Sequence, residues 1–204
     1  MLNLTTIVVG PISVNCHIVW NPDTLAALVF DPGADFPLIQ AGIEKLHLKP
    51  FAVLLTHGHV DHIGAVPDFT AAYHVPVWMH PDERGLYLSP RNELLPYFPH
   101  VENLPPPADE LPAHPGFDFQ VLHTPGHTPG GVCYYFPEQE FVLTGDTLFA
   151  SGVGRTDLPG GDPDELADSI HDVLFALPGK TVAYPGHYDK TTIGIEKINP
   201  MLGI

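Results

Sequence analysis

The stretch LLTHGHVDHIGA, from Leu54 to Ala65, decides how the rest of the chain is interpreted. The apolar run Phe51–Thr56 is typical of a strand that is buried on both faces. Four titratable side chains follow within six residues: His57, His59, Asp61 and His62. Because residues two apart in an extended chain point the same way, we expect His57 and His59 to converge on one ion. Asp61 and His62 come after the turn and are expected to face a second point nearby.

Three later motifs repeat this context. HTPGHTPGG, LTGDTLF and YPGHYD each follow a predicted strand, and each sets one donor beside a glycine: His127, Asp146 and His187. Zinc, iron and manganese accept imidazole and carboxylate ligands. Asp146 leaves an apolar strand, where a cation offsets the cost of desolvating a carboxylate. Seven donors are too many for one tetrahedral ion, and they suit two ions that share a carboxylate. The alternative is a His-rich surface loop.

The remaining pattern predicts a layered α/β fold built from two sheets, within one domain that spans residues 1–204. Three short apolar runs separated by turn signals are typical of an antiparallel meander: Leu2–Val9, Val14–Trp20 and Leu25–Phe30. Helical spacing is predicted at Pro37–Leu48 and Ile63–Tyr73, and from Asp162 as a helix cap. Residues 81–116 are rich in proline, and we expect an extended loop or lid there.

Composition limits the classes of partner. The chain has 8 basic and 24 acidic residues and a net charge of −16, which argues against nucleic-acid binding and against an anionic membrane surface. Two cysteines, Cys16 and Cys133, are too few for a disulfide framework. No signal-like leader and no apolar run of about 18 residues is present, so we expect a soluble, cytoplasmic protein.

The motifs THGHVDHIGA, HTPGHTPGG, TGDTLF and PGH, in this order, resemble the metallo-β-lactamase superfamily. The stretches NCHIVW and LVFDPGAD extend the resemblance over nearly the whole chain. It implies a four-layer αββα sandwich with two metal ions at one sheet edge. It implies that metal one is bound by His57, His59 and His127. It implies that metal two is bound by Asp61, His62 and His187, with Asp146 bridging.

Within that superfamily, SGVGRTDLPGGD most resembles the glyoxalase II (hydroxyacylglutathione hydrolase) group, especially its short bacterial members. This implies hydrolysis of a small-molecule thioester of the S-2-hydroxyacylglutathione type by a hydroxide that bridges two divalent ions, with Asp61 orienting it. We expect zinc, with iron or manganese as alternatives. Because 17 residues follow His187, we expect the short form, without the C-terminal helical domain of the long enzymes.

The departures from the group concern the substrate contacts. The long enzymes place a Lys and two Tyr near the site, whereas Arg155 stands at the Lys position here. Asp157 and Asp189 stand at the Tyr positions, and Tyr188 is displaced by one. Arg155 is our candidate for the substrate's carboxylate, because its planar fork suits bidentate binding, and Tyr188 is a second candidate contact. An ion pair between Arg155 and Asp157 is an equal alternative.

Other activities stay open at this stage. Persulfide dioxygenases share the motifs and a similar GRTD stretch, and they bind one Fe(II), which here would involve His57, His127 and Asp146. Another hydrolase of the superfamily, such as a lactonase, is a further alternative, and a non-catalytic binding module is the least favoured. True β-lactamases of this fold usually carry Cys where Asp146 stands, so we expect no antibiotic hydrolysis. The sequence leaves the oligomeric state open.

Overall fold

The computed structural model describes residues 1–203. The chain divides into two compact units, Met1–Phe117 and a second unit that begins at Asp118. Each unit contains one five-stranded sheet. None of the helices within residues 1–203 is long and apolar enough to cross a membrane. The interpretation of residues 1–204 as a single domain stays a prediction.

The sheet of the first unit has the strand order β1-β2-β3-β4-β5. Its strands are β1 (Asn3–Val9), β2 (Val14–Trp20), β3 (Ala26–Phe30), β4 (Lys49–Leu54) and β5 (Val77–Trp78). The first three strands pair antiparallel, which confirms the predicted meander, and β3, β4 and β5 pair in parallel. Parallel pairing sets the carboxyl ends of β3 and β4 at the same sheet edge, where Asp31 and Thr56 follow.

Four α-helices belong to the first unit: α1 (Phe36–Lys45), α2 (Val60–Ile63), α3 (Val66–Tyr73) and α4 (Arg84–Tyr87). Ile39 and Ile43 of α1 and Phe69 of α3 are buried in the core of this unit, as their helical spacing predicts. The predicted helix from Ile63 was wrong at its start. A separate single turn, α2, precedes it, so Asp61 and His62 lie in a helix rather than in a loop.

Residues 81–116 begin with a 3₁₀ turn, Pro81–Glu83, which leads into α4. The buried Tyr87 donates its hydroxyl hydrogen to the Pro105 carbonyl at 3.0 Å. Further along, the Ala108 N–H donates to the Val77 carbonyl at 2.7 Å and ties the segment to the end of the sheet. These contacts fasten the segment within the first unit, and its closure over a substrate stays a prediction.

The sheet of the second unit has the strand order β12-β11-β8-β7-β6. Its strands are β6 (Gln120–His123), β7 (Val132–Phe136), β8 (Phe141–Gly145), β11 (Val182–Pro185) and β12 (Thr191–Thr192). Only β8 and β11 pair in parallel. A small hairpin, β9 (Leu148–Phe149) and β10 (Gly152–Val153), lies outside this sheet and was not predicted.

Two helices complete the second unit, α5 (Pro163–Asp168) and α6 (Ile193–Lys197), and a π-helical stretch, Ser169–Leu174, continues α5. Asp162 caps α5 as predicted, because its Oδ1 accepts the N–H groups of Asp164 and Glu165 at 2.9 and 3.1 Å. The apolar face of α5 and its continuation is buried against the core of this unit.

The carboxylate of Glu196 in α6 fastens the C-terminal part of the second unit. This side chain is 1% exposed. Its Oε1 accepts the Thr191 hydroxyl at 2.6 Å, and its Oε2 accepts the Ser151 N–H at 3.1 Å and the Asn199 amide at 3.0 Å. Ser151 is the turn residue between β9 and β10, so one buried carboxylate links the helix to that hairpin.

We expect Glu196→Ala to lower the free energy of unfolding by about 3 kcal/mol, because it removes a buried carboxylate that accepts three hydrogen bonds, one of them from the buried Thr191 hydroxyl. Urea unfolding followed by circular dichroism measures the change. Lys180→Ala is the control, since it removes an exposed ion pair with Glu140 and should cost less than about 1 kcal/mol. Equal destabilisation by both substitutions would contradict the role assigned to Glu196.

Candidate metal centre

A first donor cluster lies beyond the end of β4 and consists of His57, His59, Asp61 and His62. The donor atoms of His57 and His59 lie within 4.8 Å of each other. The donor atoms of His57 and His62 also lie within 4.8 Å of each other, as do the donor atoms of Asp61 and His62. The first unit therefore brings together all four predicted side chains of the opening stretch.

Three hydrogen bonds converge on the buried carboxylate of Asp31, the first residue after β3. Its Oδ1 accepts the Thr56 N–H at 2.8 Å, and its Oδ2 accepts the Thr56 hydroxyl at 2.6 Å. The Nδ1 of His62 lies 3.0 Å from the same Oδ2. A carboxylate here is an acceptor, so Nδ1 of His62 donates and Nε2 carries the lone pair that binds a metal.

The same network sets the tautomer of His57. The Thr56 hydroxyl has one hydrogen, which it donates to Asp31. The Thr56 oxygen therefore accepts from Nδ1 of His57, 3.0 Å away. As in His62, the Nε2 atom of His57 carries the lone pair. Asp31 thus orients two imidazoles, one directly and one through Thr56.

A second donor cluster lies in the second unit and consists of His127, Asp146 and His187. These residues stand in the loops that follow β6, β8 and β11. The Oδ2 atom of Asp146 lies 3.7 Å from Nε2 of His127 and 3.6 Å from Nε2 of His187. Asp146 is therefore central to this cluster, and its role as a carboxylate shared by two ions stays a prediction.

The donor distances fit a metal ion. In the first cluster, Nε2 of His62 lies 3.6 Å from Oδ2 of Asp61, which matches the spacing in the second cluster. These separations exceed the roughly 2.7–3.2 Å of a good N–H···O hydrogen bond. Two ligands of one tetrahedral zinc, each about 2.0–2.1 Å from the ion, are about 3.4 Å apart. The donor set, imidazole nitrogen and carboxylate oxygen, also suits iron and manganese.

The orientation of His127 comes from the GRTD stretch. Its Nδ1 lies 2.7 Å from the Arg155 carbonyl oxygen. A carbonyl only accepts, so Nδ1 donates, and Nε2 faces Asp146 as a lone-pair donor. A side chain at Gly154 would place its Cβ 1.9 Å from the Asp146 carbonyl oxygen and 3.0 Å from Nδ1 of His127. Glycine is required there because the two donor loops approach its backbone so closely.

The predicted substrate contacts, Arg155 and Tyr188, are exposed at the surface. The Arg155 guanidinium is 54% exposed and makes a bidentate pair with Asp157, with Nε–Oδ1 and Nη2–Oδ2 distances of 2.6 and 2.7 Å. Hydrogen bonding from Arg155 lowers the pKa of Asp157 to about 2. Tyr188 is 73% exposed and has a φ of 65°, an uncommon backbone conformation for a bulky residue. Its ring meets Phe149 edge-on at 5.5 Å.

A buried thiol, Cys133, is linked through Thr124 to Thr147, the residue that follows Asp146. The Cys133 Sγ is 3.3 Å from the Thr124 hydroxyl, which lies 3.1 Å from the Thr147 hydroxyl. Burial raises the pKa of Cys133 to about 11, although the hydrogen bonds from both threonines lower it. A buried thiol with a raised pKa stays protonated at neutral pH, and Cys133 packs in the core of the second unit.

Sequence reasoning missed the residues that orient the donors: Asp31, Thr56, Gly154 and the backbone carbonyl of Arg155. One of them carried a signal. Asp31 follows the apolar strand AALVF directly, which is the same context that singled out Asp146. The others act through a hydroxyl or through backbone, and their residue types give no indication of that role.

The sequence model for the metallo-beta-lactamase superfamily matches residues 9–187. A probable metallo-hydrolase of Bacillus subtilis, YqgX, is 37% identical over 201 residues, which are 95% of this chain and 94% of that protein. The hydroxyacylglutathione hydrolase GloC of Haemophilus influenzae is 35% identical over 209 residues, which are 98% of this chain and 98% of that protein.

Three solved structures resemble the chain closely. The B3 metallo-beta-lactamase BLEG-1 matches with a TM-score of 0.84 and 38% identity, over 98% of this chain and 99% of that one. TTHA1623 in a di-iron-bound form matches with a TM-score of 0.79 and 37% identity, over 97% and 100%. ETHE1 from Myxococcus xanthus matches with a TM-score of 0.74 and 28% identity, over 97% and 82%. The predicted fold class, α/β with two sheets and flanking helices, is confirmed.

We expect Asp31→Asn to weaken zinc binding roughly 10- to 100-fold, because an amide cannot accept all three hydrogen bonds that orient Thr56 and His62. Competition with a chromophoric chelator measures the affinity. Asp35→Asn is a matched control, since both aspartates have a positive φ, and the exposed Asp35 carboxylate accepts only the Gly10 N–H among the side-chain contacts described. A similar loss in both variants would contradict the orienting role of Asp31.

Proposed function

The chain belongs to the metallo-β-lactamase superfamily of metal-binding hydrolases, and from this premise we propose that it is a binuclear hydrolase of thioesters of the S-2-hydroxyacylglutathione type. The observation that carries the proposal is the pair of donor clusters with oriented imidazoles. GloC, named as a hydroxyacylglutathione hydrolase, is similar over nearly its whole length and supports this substrate class.

As the family resemblance implies, His57, His59 and His127 would hold the first ion of the proposed centre, and Asp61, His62 and His187 would hold the second. Asp146, whose Oδ2 atom lies near Nε2 of both imidazoles in its own cluster, would be the ligand that the two ions share. Zinc is the metal we propose, with iron or manganese as alternatives. The di-iron form of TTHA1623 supports two ions rather than one.

In the proposed mechanism, the metal ions and the Asp61 side chain have separate roles. When bound, the ions supply Lewis-acid polarisation of the thioester carbonyl and a lower pKa for water. Asp61, which is buried beside His62, accepts a hydrogen bond from the attacking water and directs its oxygen toward the carbonyl carbon. The water oxygen forms the new bond to the carbonyl carbon as its proton passes to solvent. The bond from that carbon to sulfur breaks, and sulfur keeps the electron pair as a thiolate, a good leaving group that needs no proton donor.

We expect the metal-loaded protein to cleave S-lactoylglutathione, measured by the loss of thioester absorbance, and the chelator-treated protein to lose this activity until metal is restored. Asp146→Ala should lower kcat/KM at least about 100-fold, because it removes the carboxylate shared by both ions. The same variant should bind fewer metal ions per chain by elemental analysis. Unchanged metal stoichiometry would refute the bridging assignment.

The proposed substrate contact at Arg155 has its own test. We expect Arg155→Ala to raise the KM for this anionic thioester about tenfold with little change in kcat, as for the loss of uniform binding. Asp157→Asn should lower KM, because it releases the guanidinium from its partner. The pKa of Asp157 is lowered to about 2, so the pair is intact above that pH and both effects should be constant from pH 6 to 8. Unchanged KM in both variants would leave Arg155 as a surface ion pair only.

Three other activities are tested with the same preparation. Similarity to a B3 metallo-beta-lactamase favours β-lactam hydrolysis, against the expectation drawn from Asp146, so a chromogenic cephalosporin belongs in the assay. A persulfide dioxygenase would contain one iron per chain and consume oxygen with glutathione persulfide. Two ions per chain and no oxygen uptake would reject the dioxygenase. Hydrolysis of a lactone substrate tests the remaining hydrolase alternative.

We also propose a cytoplasmic location for the protein.

A further inference from the structure

Both peptide groups between His57 and His59 are held by side chains from a distant part of the first unit. The Gly58 N–H, in the link to His57, donates to Oε2 of Glu83 at 2.7 Å. The Gly58 carbonyl, in the link to His59, accepts from Nδ2 of Asn92 at 2.7 Å. Opposite edges of the loop are thus held by an acceptor and a donor.

These two side chains are buried, although their residue types are usually exposed. Glu83 is 0% exposed and Asn92 is 5% exposed. A buried carboxylate costs free energy unless it is well hydrogen-bonded, and a hydrogen bond to a charged acceptor is among the stronger ones. Burying the Glu83 carboxylate therefore costs free energy, and the hydrogen bond that it accepts from the Gly58 N–H offsets part of that cost.

The loop also lies directly against the segment that carries these side chains. A Cβ at Gly58 would lie 3.0 Å from Oε2 of Glu83 and 3.2 Å from the Tyr87 nitrogen. Glycine is therefore needed at this position for close packing.

We propose that Glu83 and Asn92 are positioning residues that fix the orientation of His57 and His59 toward the first metal ion. The inference rests on the proposed function, because it requires these histidines to bind that ion. Rotation of either Gly58 peptide plane would swing a neighbouring imidazole away, and a site must hold its ligands within about 0.5 Å and 10–20°. The rival interpretation is that both side chains only fasten residues 81–92 to the sheet.

The test is stepwise zinc affinity by chelator competition, together with the visible spectrum of the Co(II) form. Asn92→Ala should weaken one of the two binding steps roughly 10- to 100-fold and leave the other unchanged. The weakened step should be the one lost in His59→Ala. Asn92→Asp should weaken it further, because its carboxylate oxygen would face the Gly58 carbonyl oxygen. The Co(II) band should shift in both Asn92 variants.

Tyr87→Phe is the matched control. It removes the hydrogen bond to Pro105 from the same segment but no side-chain contact with the Gly58 peptides. We expect a lower Tm with both zinc steps and the Co(II) spectrum unchanged. Glu83→Gln keeps an acceptor oxygen for the Gly58 N–H and should retain near wild-type zinc affinity at both steps. Glu83→Ala removes that acceptor and should weaken zinc binding at the same step as Asn92→Ala. This conservative pair keeps the test decisive if one Asn92 variant does not fold.

The outcomes separate this inference from the proposed function. Wild-type protein that binds two ions, with both steps unchanged in Asn92→Ala, would overturn the positioning role and leave the proposed function standing. Equal losses of affinity in Asn92→Ala and Tyr87→Phe would also overturn it, because fastening the segment would then explain both. Wild-type protein that binds no metal ion would overturn the inference and the proposed function together.

Discussion

The buried carboxylate of Asp31 is the interaction on which the order of the first donor cluster depends. It accepts three hydrogen bonds from Thr56 and His62, so it joins the end of β3 to the end of β4 and to helix α2. Parallel pairing of β3 and β4 makes this contact possible, because both strands end at the same edge. One carboxylate therefore stabilises the strand ends and fixes two imidazole tautomers at once.

The donors were predictable from sequence because they are local. Each follows a short apolar strand, and strand, turn and His or Asp are all visible in a few consecutive letters. The second layer of contacts was not predictable in this way. Glu83 and Asn92 reach Gly58 from 25 and 34 residues away, and only tertiary packing brings them there. Asp31 is an intermediate case, since its strand-exit context was visible and its three partners were not.

The fold followed the same division. Apolar runs of five or more residues predicted the meander and the buried strands. Strands β9 and β10 have two residues each, which is too short for an alternating pattern to be detected. Helix α2 was missed because a single turn has too few residues for a hydrophobic face. Hydrogen bonds hold these short elements: Glu196 accepts the Ser151 N–H in the β9–β10 turn, and the His62 N–H donates to the His59 carbonyl in the turn of α2.

The charge of the chain constrains how an anionic substrate could be recognised. With 8 basic residues among 204, and with the Arg155 fork already engaged by Asp157, few side-chain cations are available. Divalent ions would then be the main positive charges at the centre, and they would both attract the anionic substrate and polarise its carbonyl group. A rigid first ion matters more in such a site than in one lined with lysines, because the same ion must bind the substrate and activate its carbonyl. The buried side chains of Asp31, Glu83 and Asn92 would meet that requirement through their hydrogen bonds to Thr56, His62 and the Gly58 peptides.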